Sequence, residues 1–295
     1  MMTNMPGGAT DVVDLWPEGA PDGFVNDRRE AICANPDPQV PERWMRNITR
    51  ARITRFTAQT QSLGLSMLVV PGGAFHFVSI DNEGYEVARA LAARGIEAFV
   101  LTYRVSPMPE DDGDIPGFLR EMDRGMDRAV PGQVTPPVGS PEIAAGRALA
   151  EADGRQAMRV IRAHAVTWGI DPARLGVMGF SAGGGVAVDL ALAAPSDCRP
   201  AFTVPVYPAW RSVPAPVVPA DCPPLCLIAA ADDTVVPPFS TAALAQMAHA
   251  AGVRVACHIY GDGGHGFGIR KQRTLSDRWF EDVMDWLRVT MPQAD

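Results

Sequence analysis

Short apolar runs and helical stripes alternate along most of the chain. From Arg52, "RITRFTAQ" alternates apolar and polar positions, the period of a half-exposed strand. "LSMLVV" (65–70) is a near-continuous apolar run, as a strand buried on both faces of a sheet would be. A helix over 82–94 follows, with Val87, Ala88 and Leu91 on one face, and then a second buried strand, "IEAFVLTY" (96–103). Ala157, Val160, Ile161, His164 and Trp168 recur at spacings of three and four and predict a helix over 147–168, ended by Gly169. "LGVMGF" (175–180) reads as a strand, and 182–194 as a helix whose small residues let it press closely on a sheet. "FTVPVY" (202–207) and "PLCLIAA" (224–230) are further strands, followed by a helix over 239–251 and the strand "VRVACHIY" (253–260). Trp279, Val283, Trp286 and Leu287 give the last helix its apolar stripe.

This alternation predicts an α/β domain over 51–295, with a mainly parallel sheet and helices on both faces. Ligands of such sheets sit at the carboxyl ends of the strands. Residues 1–50, rich in Pro, Asn and Asp, read as an irregular arm laid over that body. No internal repeat or low-complexity linker divides the chain.

Charge and cysteine usage narrow the function classes. The net charge is -8, and no basic stripe is present that could track a phosphate backbone, so nucleic acid is not an expected partner. No stretch reaches the roughly 20 apolar residues that cross a bilayer, and "MMTNMPGGATDVVDLW" lacks the basic and apolar regions of an export signal. A cytoplasmic protein without a membrane partner is the expectation. Cys33, Cys198, Cys222, Cys226 and Cys257 are an odd, scattered set, read as reduced thiols. Pro223 and Pro224 interrupt the Cys222–Cys226 pair and no second pair accompanies it, so no metal site is expected.

Three turns carry candidate chemistry, and each follows a strand. "GFSAG" fits G-x-S-x-G between a strand and a helix, where a serine is forced toward a strained backbone. Gly179 and Gly183 supply the clearance, and the amide of Ala182 opens the helix, where an anion is favoured. A serine hydroxyl needs a base to become a nucleophile. His265, in "GDGGHGFG", is the one histidine placed to swing over the sheet edge; His164, His249 and His258 belong to predicted helices or a strand. "AAADDTVVPP" offers Asp232 or Asp233 to orient the imidazole, because one residue of phase at a strand end changes which side chain points inward. The order Ser, Asp, His is the one expected for a triad on this sheet. "VVPGGAF" can supply oxyanion donors through the amides of Gly73 and Ala74, together with that of Ala182. His76 stands two residues on as a candidate pocket residue, as do Tyr207 and Trp210 past the later strand.

As a set, "DLWPEGAP", "VVPGGAF", "NEGYEVARALAARGIEAFVLTYRV", "WGIDPARLGVMGFSAGG", "ADDTVVP" and "GGHGFG" resemble the serine α/β-hydrolases, and more closely the branch of acetyl xylan esterases and related bacterial carbohydrate esterases. The resemblance implies an α/β-hydrolase fold and a Ser181, Asp232, His265 triad, and it favours Asp232 over Asp233. It also implies ester hydrolysis through an acyl-enzyme, often of acetyl groups on sugars, with no cofactor. The chain departs from the family by inserting residues 105–147, where Leu119, Met122 and Met126 suggest a short amphipathic helix; this segment is the candidate lid. The usual segment between the "YP" and "ADD" strands shrinks here to about Pro208–Pro224.

The expected function is therefore a serine carboxylesterase for short-chain, acetyl-like esters of a small molecule or oligosaccharide. A serine peptidase of the prolyl oligopeptidase kind shares the two turns but would bring a large gating domain. Dienelactone hydrolases commonly carry cysteine where Ser181 stands, which counts against them. A non-enzymatic ligand-binding homologue would show a broken triad.

Overall fold

The computed structural model describes residues 5–125, 141–210 and 217–292. The first 50 residues are not the irregular arm expected: they hold strands β1 (Asp11–Asp14), β2 (Ala31–Ala34) and β3 (Arg43–Arg46). Four-residue strands are too short to show a period, and each exists because a partner completes its hydrogen bonds. Next come β4 (Arg52–Phe56), β5 (Ser66–Val70), β6 (Phe77–Ser79), α1 (Glu86–Ala92) and β7 (Glu97–Thr102). Within 105–147, expected to be an insertion, lie α2 (Ile115–Gly125) and the start of α3 (Pro141–Ala163), followed by α4 (Ala165–Trp168). Met126, expected on the insert's amphipathic helix, is outside the described residues, as is the rest of 126–140. The chain continues through β8 (Leu175–Phe180), α5 (Ser181–Ala193), β9 (Thr203–Val206), β10 (Leu225–Ala230), α6 (Phe239–Ala250), β11 (Val255–Tyr260) and α7 (Trp279–Thr290).

Eight strands form one sheet in the order β1-β4-β7-β5-β8-β9-β10-β11. From β7 to β11 all neighbours are parallel, while β1 and β4 join antiparallel at one edge. β5, β7, β8, β9 and β10 are buried along their whole length, which explains their unbroken apolar runs. A separate antiparallel sheet, β2-β3-β6, joins the N-terminal segment to the loop after β5.

The connection β5 to β7 steps toward one edge of the sheet, and β8 to β9 toward the other. With right-handed crossovers, α1 and α5 fall on opposite faces, and a crevice opens at the carboxyl ends of β5 and β8. α3 packs on α5, so it covers the same face. The helix expected over 147–168 begins earlier, at Pro141, and breaks at His164, whose backbone (φ -91°, ψ 3°) leaves the helical region.

One buried ion cluster pins α3 and the N-terminal segment to the end of β7. Arg104 is 1% exposed, and its Nη2 donates to Asp153 Oδ1 of α3 at 2.7 Å. Its Nη1 donates to Asp22 Oδ1 at 2.7 Å, and Trp16 Nε1 donates to Asp153 Oδ1 at 2.7 Å. Removing one partner of such a pair strands the other charge away from water. Asp153→Ala is expected to cost about 3–5 kcal/mol in denaturant unfolding, and Asp22→Ala less, because the Asp22 side chain is 35% exposed.

Candidate active site

The site begins where α5 leaves β8. Ser181 takes φ +48°, a left-handed conformation that costs a non-glycine residue free energy. The turn closes only because its neighbours lack side chains. A Cβ on Gly179 would lie 2.2 Å from the Gly183 carbonyl oxygen, and one on Gly183 would lie 2.1 Å from that of Val70. The packing that presents Ser181 thus sets the backbone of α5 directly against β5.

Ser181 Oγ is 2.9 Å from His265 Nε2, and His265 Nδ1 is 2.8 Å from Asp233 Oδ2. The acid facing the histidine is therefore Asp233, not the Asp232 that the family resemblance favoured. The physical reason is a tight turn after β10, closed by the Asp233 amide on the Ala230 carbonyl. Ala231 and Asp232 occupy its exposed corner, and Asp233 returns over the sheet edge, where it is buried. The other oxygen of Asp233 accepts the amides of Val235 (2.9 Å) and Val236 (2.8 Å), which fixes the carboxylate's direction. Asp232 accepts instead from the amides of Gly263 (3.3 Å) and Gly264 (2.8 Å) and so braces the glycine loop that carries His265.

The loop after β5 passes over the other side of Ser181. Gly73 has φ +133°, Ala74 +51° and Phe75 +62°, three consecutive left-handed residues that turn the loop's amides over. The Gly73 carbonyl takes the amides of His76 (3.0 Å) and Phe77 (3.1 Å), which ties the loop to itself. Gly73, Ala74 and Ala182 share the wall of a cavity of about 330 Å³ with Ser181 and His265. The three residues expected to supply backbone donors are thus gathered around the space beside Ser181.

The three candidate pocket residues separate. Trp210 lines the cavity. His76 does not: it is 5% exposed, packs edge-on against Phe118 with ring centroids 5.2 Å apart, and burial lowers its pKa. Tyr207 is also withdrawn from the wall. Its φ of +35° folds the ring beneath His265, with centroids 5.1 Å apart, and its hydroxyl donates to Glu83 Oε1 at 2.8 Å. Much of the wall comes from residues that sequence reasoning did not single out. Trp44 and Phe77 stack at 4.0 Å on the N-terminal sheet, while Val236 and Phe239 follow Asp233. Met122 and Ile143, from within 105–147, reach the same cavity.

Glu83 was missed as well. It lies in a single π-helical turn at Asp81–Tyr85, is 4% exposed and reaches the cavity. Burial pushes its carboxyl up to about 7, with Glu42 adding to the rise. An acidic residue opening a helix ordinarily complements the helix dipole at the surface, so nothing local marks this one as buried.

Comparisons with known proteins bear on both fold and chemistry. The model of the dienelactone hydrolase family matches residues 142–290, half of the chain. An acetylxylan esterase of Xylanibacter ruminicola is 27% identical over 277 residues, covering 83% of this chain and 50% of that protein. The chain thus spans about half the length of this curated relative. Among solved structures, an acetyl ester-xyloside bifunctional hydrolase from Caldicellulosiruptor lactoaceticus superposes with a TM-score of 0.62 at 21% identity, covering 97% of each chain. An α/β hydrolase from a Medee basin deep-sea metagenome library gives 0.60 at 24% identity, covering 81% of this chain and 92% of that one. These likenesses establish the α/β-hydrolase fold.

The glycine contacts define a stability test. Gly183→Ala is expected to lower stability by about 3 kcal/mol or more, at or beyond the upper end of ordinary overpacking, because backbone and not a movable side chain stands in the way. Thermal or denaturant unfolding measures it, and an unchanged midpoint contradicts the packing described.

Proposed function

The chain belongs to the dienelactone hydrolase family, and from that membership and the geometry of its cavity we propose that it is a serine carboxylesterase working through an acyl-enzyme. Serine in place of the cysteine common in dienelactone hydrolases does not set the chain outside the family, as sequence reasoning had weighed it. The observation that carries the proposal is the hydrogen-bonded line from Ser181 Oγ through His265 to buried Asp233.

In this mechanism Asp233 holds the Nδ1–H of His265, leaving Nε2 free to take the Ser181 proton as Oγ attacks an ester carbonyl. The carbonyl oxygen becomes an oxyanion against the amides of Gly73, Ala74 and Ala182, and the alcohol leaves with the proton from Nε2. Water, deprotonated by the same nitrogen, then releases the acid and restores Ser181.

A short acyl group, acetyl above all, is the first substrate reading, supported by the acetylxylan esterase relative. The wall favours a second reading for the alcohol. Trp44, Phe77, Trp210, Val236 and Phe239 suit an apolar or aromatic group better than a sugar, whose hydroxyls need polar partners. The described parts of 105–147, residues 105–125 and 141–147, act as the lid in this proposal, supported by Met122 and Ile143 on the cavity wall.

Nitrophenyl esters of rising chain length, acetylated xylo-oligosaccharides and an aminoacyl-proline substrate separate these readings. Nitrophenyl acetate is expected to turn over and the prolyl substrate not. Preference for long acyl chains contradicts the acetyl reading, and failure of every ester contradicts the esterase. Ser181→Ala is expected to abolish turnover. Asp233→Asn is expected to lower kcat by about 10⁴, and Asp232→Asn by no more than about tenfold. The reverse ranking in steady-state kinetics restores Asp232.

A further inference from the structure

The steps proposed above use neither Glu83 nor Tyr207, yet both are buried at the centre of the site. Glu83 Oε2 accepts the Gly72 amide at 2.7 Å, at the root of the oxyanion loop. Glu83 Oε1 accepts the Tyr207 hydroxyl at 2.8 Å, and that hydroxyl oxygen accepts the Gly268 amide at 2.9 Å, three residues past His265. The preceding residue grips the same loop: Asn82 Nδ2 donates to the Gly266 carbonyl at 3.1 Å, and Asn82 Oδ1 accepts the Arg270 amide at 2.9 Å. No slack remains on the side of the nucleophile. A Cβ on Gly72 would stand 2.7 Å from Glu83 Oε2 and 2.9 Å from Ser181 Cβ, so the carboxyl and the nucleophile flank a residue that must be glycine.

We propose that Glu83 is a positioning residue for ester cleavage, its carboxylate holding the Gly72 amide and the Tyr207 hydroxyl so that the oxyanion loop and the His265 loop keep one spacing about Ser181. This rests on the carboxylesterase reading. Both Glu83 oxygens face donors, an arrangement that suits the ionised form; a proton on either oxygen takes up one of its lone pairs and weakens it as an acceptor for the N–H or O–H it holds. The groups facing Glu83 pull in both directions. Burial and Glu42, ahead of β3, favour the neutral acid, while Tyr207, the Gly72 amide and His265 favour the anion. Tyr103, at the end of β7, is itself held neutral by burial. With its midpoint at about 7, the clamp is complete above neutrality and weakens as pH falls through that value. The anion also favours the imidazolium that forms when His265 takes the proton of Ser181.

The test is the pH dependence of kcat/KM for nitrophenyl acetate in wild type, Glu83→Gln and Tyr207→Phe, with melting temperatures measured in parallel. In wild type the acid limb should fall with a slope approaching two, one proton for the base and one for Glu83. Glu83→Gln can accept from only one donor at a time. It should lose about tenfold or more above neutrality, chiefly in kcat, and show a slope of one. Tyr207→Phe keeps the ring under His265 and removes a bond that favours the anion. Its acid limb should move to higher pH, a result that stands even where the Gln variant does not fold. Glu83→Gln within about twofold of wild type with the slope unchanged, or an unmoved limb in Tyr207→Phe, overturns the inference. A purely structural role would lower the melting temperature and leave both limbs in place, which also overturns it. Absence of Ser181-dependent turnover in wild type overturns the esterase reading itself, and the inference with it.

Discussion

The contact on which the site depends is backbone against backbone, at Gly179 and Gly183. Without side chains there, α5 can approach β5 until only hydrogens separate the Gly183 Cα from the carbonyls of Val70 and Pro71. From this approach follow the left-handed backbone of Ser181, its elevation above the crevice, and its closeness to the loop after β5. Strain at Ser181, Ala74, Phe75 and Tyr207 lies around the same crevice, held by packing that leaves no relaxed alternative. Placement at the junction of β5 and β8 is a property of strand order, and the chemistry is local to the turns that strand order brings together.

Sheet and helices were legible because burial on both faces leaves an unbroken apolar run that composition alone reveals. The observed bounds of β5, β7, β8, β9 and β10 lie close to those runs. Ser181 and His265 were legible for a different reason, since glycines on both sides mark turns that a side chain would obstruct. The choice between Asp232 and Asp233 was not, because it depends on a turn closed between Ala230 and Asp233, and two adjacent aspartates look alike until that turn is drawn. Tyr207 misled in a similar way: its position past β9 suggested the pocket, and its backbone angle sends the ring under the histidine. Glu83 is buried against the loop after β5 and against Tyr207, 124 residues away, and no local pattern carries that information.

The N-terminal strands change how the cavity is understood. Read as an irregular arm, the first 50 residues would be a covering; as part of the β2-β3-β6 sheet, they build a wall of the site. Trp44 stacks on Phe77, which lies a few residues past Gly73, so the loop after β5 and this wall share one short stretch of chain. A change in the wall is therefore felt by the loop beside Ser181. The cavity wall and the loop beside Ser181 are joined here more closely than a lid laid over an independent site would allow.

The cluster at Arg104 has a consequence for the chain as it is made. Trp16 and Asp22 leave the ribosome well before their partners, since the carboxylate Trp16 binds is Asp153, 137 residues later. β8, which must slot in beside β5, is translated later still. During synthesis the early strands must therefore wait, with Trp16 lacking its Asp153 partner and the edge of β5 that pairs with β8 bare, until those later segments have emerged. Such an interval is when nascent chains associate wrongly or engage chaperones. Closure of the Arg104 cluster marks its end, joining an earlier-made part of the molecule to α3, which packs on the helix that Ser181 opens.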